Sequence, residues 1–314
     1  MVALFPTSGA IDEALQIGRL GDIDLLTDSA LAGENRVIAE PRRVGKSSLL
    51  RAVRQRIHDK KPAVATVLTV DLRDGISNSA DLASDLLMQA RAQGAGGRRG
   101  FTERMFERVR KVAAGASEDL AELAEGLDSE EVAALEALVA LARRGTTSLH
   151  EVFRLLDKDA NDKNQPIIVL VDEVQEVGRW SDGAAVLSEI AVAAKRGGAR
   201  ISFILTGSEV SAIQALFEPD GSPLIGVVRR FPLPVIDDEV WIDGLTDRYR
   251  ACGLEIAREQ IGTVLTVGDG HPLKTMLICR ASLDWLVPGS DEVGEVSIAQ
   301  AVKDARSNPD WSRL

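Results

Sequence analysis

The stretch that most constrains this chain is Arg36 to Leu50, RVIAEPRRVGKSSLL. A short apolar run leads into a turn carrying Gly45-Lys46-Ser47, and an amphipathic segment follows. Strand, tight turn and helix start, in that order, are the context a phosphate-binding loop requires. Backbone N–H groups at the turn and at the helix start converge on an anion, and the helix dipole favours negative charge there. Lys46 would reach the outer phosphates and the Ser47 hydroxyl would ligate Mg²⁺. One position departs from the G-x-x-x-x-G-K-[ST] pattern, because Glu40 stands where its first glycine belongs. Two readings of Glu40 compete. In the first, the backbone there is ordinary and the carboxylate points away or pairs with Arg42 or Arg43. In the second, the carboxylate faces the phosphates, a repulsion of about 4 kcal/mol per charge pair at 4 Å and an effective dielectric of 20. The other motif residues described below favour the first.

Around this stretch the chain alternates. Apolar positions Leu49, Leu50, Val53 and Ile57 recur at helical spacing after the loop. Ala63 to Asp71 (AVATVLTVD) and Pro166 to Asp172 (PIIVLVD) read as buried parallel strands. Arg200 to Thr206 is a fourth strand, and Val227 to Val235, with prolines near its end, suits a sheet margin. Helices are expected at 79–93 and 182–195, with a short one before Phe217, and a lead-in helix at 11–29 with a break near Gly18 or Gly21. Strands alternating with helices specify a three-layer α/β fold with a mostly parallel sheet. From Asp237 onward only helices are expected, at 237–252, 257–267, 272–286 and 296–307. The expected organisation is a lead-in over 1–34, a core over 35–236 with a helical insertion at about 97–160, and a helical lid over 237–314.

Composition narrows the function. The net charge of −11 argues against a whole-surface nucleic-acid binder, although Arg98-Arg99, Arg104 to Lys111 and Lys195-Arg196 leave local basic stretches. Two cysteines without metal-ligand spacing read as reduced and buried, and three scattered histidines make no zinc site. Neither a signal-peptide pattern nor an apolar run of membrane-spanning length is present, so a cytoplasmic protein without a membrane partner is expected.

A second motif completes the first. An apolar strand ending in Asp172-Glu173 is the usual companion of a phosphate loop: Asp172 would hold Mg²⁺ opposite Ser47, and Glu173 would polarise an attacking water. With both motifs in place, the chain resembles the AAA+/STAND class of P-loop ATPases, in particular the compact "archaeal ATPase" type, from Gly18 to about Leu286. Gly18-Arg19 with Ile23 and Leu26 look like that group's box lining the adenine. Pro41-Arg42-Arg43-Val44-Gly45-Lys46-Ser47-Ser48-Leu49 is similar to its loop, and Asp71-Leu72-Arg73 to the D-L-R after its second strand. Leu205-Thr206-Gly207-Ser208 resembles the strand end whose polar side chain, here Ser208, senses the γ-phosphate. Gly270-His271-Pro272 is similar to the start of a lid helix, where the resemblance implies that His271 contacts the β-phosphate and Pro272 packs beside the base. Arg229 and Arg230 lie where relatives carry an arginine acting on a neighbouring subunit; a salt-bridged edge is an equal alternative.

The resemblance implies a P-loop NTPase sheet of order 5-1-4-3-2 with a helical lid, ATP or ADP and Mg²⁺ as ligands, and Lys46, Glu173 and Ser208 as catalytic groups. It implies ATP hydrolysis that drives a conformational switch, with a homo-oligomer or a partner protein as what the switch acts on. DNA is the less favoured partner, given the charge. A nucleotide-gated scaffold with little turnover is the alternative.

Overall fold

A computed structural model describes residues 4–60, 64–94, 132, 148–195, 200–217 and 222–313. Most of the insertion expected at about 97–160, with the basic stretches at Arg98-Arg99 and Arg104 to Lys111, lies outside the described residues. The chain forms two compact units that interleave along the sequence. One comprises Leu26–Ala39 and Arg54–Phe231, the other Met1–Leu25, Glu40–Val53 and Pro232–Leu314.

The first unit is built on a parallel sheet. Its strands are β1 (Arg36–Ala39), β2 (Thr66–Asp71), β3 (Ile167–Asp172), β4 (Ile201–Gly207) and β5 (Arg229–Arg230), in the order β2-β3-β4-β1-β5. Every pairing is parallel, as the alternating pattern requires. β3 and β4 are buried along their whole length, which is why their sequences are unbroken apolar runs instead of alternating ones. Register aligns Val37 with Leu205 and Leu205 with Val171, so the C-terminal ends of β1, β3 and β4 fall at one edge. Helices α3 (Ser79–Gly94), α4 (Leu149–Asp162), α5 (Gly183–Lys195) and α6 (Val210–Phe217) belong to this unit. Ser148 caps α4 by accepting from the Glu151 N–H. From α4, Phe153 meets Phe203 of β4 edge-on, with centroids 5.7 Å apart. Asn35 ties the sheet's lower end: its Oδ1 accepts from the Phe203 N–H at 2.9 Å and its Nδ2 donates to the Val227 carbonyl.

β5 is shorter than the run from Val227 to Val235 suggests. Arg229 and Phe231 donate to the carbonyls of Asn35 and Val37, and then Pro232 and Pro234, which have no N–H, end the ladder. The strand does form the sheet margin.

The second unit holds the loop and the C-terminal helices. α1 (Leu20–Leu31) and α2 (Lys46–Asp59) begin in it. The lead-in helix expected from residue 11 starts only at Leu20; before it the chain makes a 3-10 turn, Glu13–Leu15, and then turns at Gly18 with φ 68°. Glycine is required there twice over, since a Cβ would also sit 2.6 Å from Ile236. Helices α7 (Asp238–Ala251), α8 (Arg258–Gly268), α9 (Pro272–Ser282) and α10 (Glu295–Ser307) pack around Leu245, Tyr249, Ile261, Val264 and Ile278. α9 stops at Ser282 with a 3-10 turn after it, not at Leu286. The region is also not purely helical: Glu255–Ile256 (β6) and Glu292–Val293 (β7) pair in parallel. Two-residue strands carry too little pattern to be read from sequence. The lead-in packs on this bundle through Phe5, whose ring lies 4.8 Å from that of Tyr249.

Candidate nucleotide site

The residues singled out by sequence fall in both units. In the loop, the backbone accounts for the missing glycine. Positive φ occurs at Arg43 (66°) and Gly45 (103°), and Glu40 is not among the positive-φ residues. Glu40 therefore occupies a position that any side chain tolerates, while Gly45 sits in territory open to glycine alone. Its Cβ would meet no neighbour within 4 Å, so the requirement is one of backbone only.

Lys46 opens α2 and is 5% exposed. Its ammonium donates to the carbonyls of Glu40 at 2.7 Å and Pro41 at 2.6 Å, so the charge is held by the loop's own backbone. Ser47 is exposed in the first turn, whereas Ser48 is buried and turned to other work. Ser48 Oγ accepts from the Ile11 N–H at 3.1 Å, and its carbonyl accepts from Gln16 Nε2 at 2.8 Å, which fastens the lead-in to α2. Pro41, Arg42 and Arg43 are exposed; Arg43 pairs with Asp310 at 3.5 Å.

His271 stands at the N-cap position of α9 without a side-chain cap bond, and Pro272 follows at the first helical position. Burial lowers its pKa, so the imidazole is neutral near pH 7. Its Nε2 lies 3.3 Å from the Arg42 carbonyl, an arrangement that places the proton on Nε2 and leaves Nδ1 as the acceptor nitrogen. That Nδ1 is buried and has no hydrogen-bond partner among the described residues. Beside the loop, a half-open pocket is lined by Ile11, Leu15, Ile17, Val44, Ile236, Pro272 and Met276, with Gly45, Ser48, Gln16, Arg19, Trp241 and Arg248 completing its wall. Gly244 allows Ile17 to approach α7, since a Cβ there would meet the Ile17 side chain at 2.9 Å. Arg19 is buried and donates to the Pro234 carbonyl at 2.8 Å and to Asp22 at 3.0 Å. Gly18, Arg19, Val44, Gly45, Ser48 and Pro272 thus gather at or next to one largely apolar cavity.

In the sheet unit, Asp172 and Glu173 stand at the end of β3. Asp172 Oδ1 accepts from the Glu173 N–H at 3.0 Å and from the Thr206 hydroxyl. Glu173 breaks the strand with φ 58°, a left-handed conformation that turns its carboxylate back across the sheet edge. Glu173 Oε2 accepts from Ser208 Oγ at 2.7 Å and from Gln175 Nε2, while Oε1 pairs with Arg73 at 3.0 Å. Burial works to lower the Arg73 pKa, but the Asp71 hydrogen bond and the charges of Glu173, Asp71 and Asp172 outweigh it and raise the value. Gln175 fits because residue 207 is glycine: a Cβ there would lie 2.2 Å from Gln175 Oε1.

Thr206, Gln175 and Arg73 were not assigned functional roles from sequence alone. A signal existed for Gln175, two residues past Glu173 and within one helical turn of it. Arg229 and Arg230 are exposed on the marginal strand, and Arg230 reaches the Ala39 carbonyl at 3.4 Å. Among the described residues, no cluster of three or more His, Cys, Asp or Glu side chains could hold a metal by itself.

The strand order, the loop after β1 and the acidic end of β3 are those of the α/β P-loop NTPase fold. Comparison with solved structures agrees. The Walker-type ATPase PABY2304 of Pyrococcus abyssi aligns over 97% of this chain and 76% of its own, with a TM-score of 0.65 at 20% identity. The Aeropyrum pernix ORC2 protein, in ADPNP–ADP complexes, aligns over 97% and 71%, with a TM-score of 0.62 at 14% identity. The ORC1 protein of the same organism, in complex with DNA, aligns over 98% and 68%, with a TM-score of 0.56 at 14% identity. No protein-family model and no curated protein sequence matches the chain. At such identities the likeness establishes the fold alone, a P-loop NTPase α/β fold shared with these proteins over nearly the whole chain. No helix among the described residues is long and apolar enough to cross a membrane.

Proposed function

We propose that this protein is an ATP-binding, Mg²⁺-dependent ATPase that uses nucleotide binding and hydrolysis as a conformational switch. The observation that carries this is the Glu173–Ser208 hydrogen bond of 2.7 Å. Two residues 35 apart in sequence, each selected for a role at the γ-phosphate, share one proton at neighbouring strand ends. Ser47 and Asp172 would hold Mg²⁺, which supplies charge neutralisation at the β- and γ-phosphates. On ATP binding, Lys46 exchanges the Glu40 and Pro41 carbonyls for phosphate oxygens, and the amides from Val44 to Ser48 cradle the anion. Glu173, turned back by its left-handed backbone, orients the attacking water and takes its proton, with Ser208 steadying the carboxylate. The apolar pocket takes the adenine. His271, tied at rest to Arg42, transmits phosphate occupancy to α9 and thereby to the lid.

The partner is a second copy of this chain or another protein; DNA is less favoured by the net charge of −11. A nucleotide-gated scaffold with little turnover is the competing function. ATP binding and phosphate release by the wild type, Lys46→Ala and Glu173→Gln, with particle size followed in parallel, test the proposal. Binding lost in Lys46→Ala and turnover lost with binding kept in Glu173→Gln are expected. Wild-type behaviour of Lys46→Ala would overturn the proposal, and equal phosphate release by the wild type and Glu173→Gln would leave the scaffold.

A further inference from the structure

The loop is held by a distant part of the chain as well as by its own backbone. After α10, residues 308–313 form a short segment closed on Asn308. The Asn308 side chain accepts from the Asp310 N–H at 2.9 Å, and the Asn308 carbonyl accepts from the Trp311 N–H at 3.0 Å. Trp311 packs against the apolar core of the second unit, and the Lys274 ammonium of α9 stands over its ring, 5.4 Å from the centroid. This anchoring sets Asp310 beside the loop, where its carboxylate pairs with Arg43 at 3.5 Å. Arg43, whose backbone is left-handed at φ 66°, immediately precedes the amides from Val44 to Ser48 that would cradle phosphate.

The strength of the pair decides what it can do. The Arg43 and Asp310 side chains are 44% and 36% exposed, so water and salt screen them and the pair shifts an equilibrium by at most about fivefold. Nucleotide phosphates carry more charge than one carboxylate, and their oxygens match the guanidinium fork. A contact this weak yields to such a competitor, which a buried ion pair would resist.

Resting on the nucleotide assignment above, we propose that residues 308–313 are a strap that competes with nucleotide for Arg43. Asp310 occupies the guanidinium until phosphates reach the loop; Arg43 then changes partner, and Trp311 alone is left to hold the strap. Occupancy of the loop is thereby passed to the segment that follows α10. Linkage makes the effect reciprocal: whatever docks the strap more firmly weakens nucleotide binding by the same factor. The route does not pass through the contact between His271 and the Arg42 carbonyl.

The test is calorimetric ADP binding by the wild type, Asp310→Asn, Arg43→Asn and the double variant, with hydrogen exchange of residues 308–313 followed with and without ADP. Asp310→Asn keeps the shape and removes the competing charge, so ADP should bind about two- to fivefold more tightly. That gain should shrink at about 1 M salt, where the Debye length is about 3 Å. Asparagine tolerates the left-handed backbone, so Arg43→Asn tests the guanidinium alone; ADP should weaken, and adding Asp310→Asn should change nothing further. In the wild type, ADP should lower the protection of residues 308–313. ADP binding to Asp310→Asn no tighter than to the wild type would overturn the inference and leave the nucleotide site standing. A gain that persists in the Arg43→Asn background, or protection of the strap that ADP leaves unchanged or raises, would overturn it as well. Absence of ADP binding to the wild type would remove the nucleotide site and this inference together. Should Arg43→Asn fail to fold, judged by thermal unfolding, Arg43→Gly takes its place in the same comparison, since glycine adopts that backbone without strain.

Discussion

Lys46 does two jobs that can be separated. Its ammonium is buried and bridges the Glu40 and Pro41 carbonyls at 2.7 and 2.6 Å. Lys46→Met keeps the length and apolar stem of the side chain and deletes only the charge and its donors. Hydrogen bonds to a charged group contribute about 1.5–3 kcal/mol each, and desolvation of the ammonium offsets much of that sum. The net cost of Lys46→Met to the nucleotide-free protein should then be about 1–3 kcal/mol, the scale of leaving two carbonyls without their donor. Urea unfolding reads this as a lower midpoint at unchanged slope. The second job appears on adding ADP and Mg²⁺: at a hundredfold excess over its dissociation constant, nucleotide should stabilise the wild type by about 2.7 kcal/mol and the variant not at all. A variant within about 0.5 kcal/mol of the wild type before nucleotide is added would mean that Lys46 does not hold the resting loop. A variant that gains as much as the wild type from ADP would mean that the loop is not the phosphate cradle.

Three other perturbations follow from the same geometry. Arg43 sits at φ 66°, so Arg43→Gly should be more stable than Arg43→Ala by about 1 kcal/mol in urea unfolding, the reverse of the usual glycine penalty; an equal or opposite order would refute the left-handed assignment. Burial lowers the pKa of His271 below its unfolded value, so the unfolded chain binds more protons in the window beneath the ordinary histidine pKa. Stability from this group is present above that pKa and is lost as pH falls through the folded value; His271→Gln should flatten this part of the pH–stability curve, and an unchanged slope would count against the buried neutral imidazole. Gly207→Ala drives a methyl against Gln175 Oε1 and should displace Gln175 from Glu173, at a cost of about 1–3 kcal/mol and with altered phosphate release; retention of both wild-type values would show that Gln175 is not held there.

Much of the fold was legible because its signals are local. PIIVLVD is apolar at every position because both faces of β3 are covered, and such a run needs no tertiary knowledge to be recognised as a central strand. Gly45-Lys46-Ser47 announces a turn at a helix start, and Asp172-Glu173 announces polar groups at a strand end. The sheet order is not written in these local signals; the resemblance to P-loop ATPases implied it, and the observed order β2-β3-β4-β1-β5 agrees. Less legible was where β5 stops, because apolarity continues past Phe231 while pairing ends with the missing N–H of Pro232.

By itself, the sequence determined the strand–loop–helix unit, the acidic strand end and the parallel alternation, since each is written in neighbouring residues and in periodicity. Only the tertiary structure decided that Glu40 lies where no glycine is needed, that Arg43 and Glu173 take left-handed backbones, and that Lys46 rests on its own loop. It also decided that Thr206 meets Asp172, that Gln175 and Arg73 hold Glu173, and that Trp241 and Arg248 share one pocket. Backbone angles at single positions and contacts between residues far apart in the chain depend on strand register and helix packing, and these are properties of the assembled molecule, not of any window of sequence.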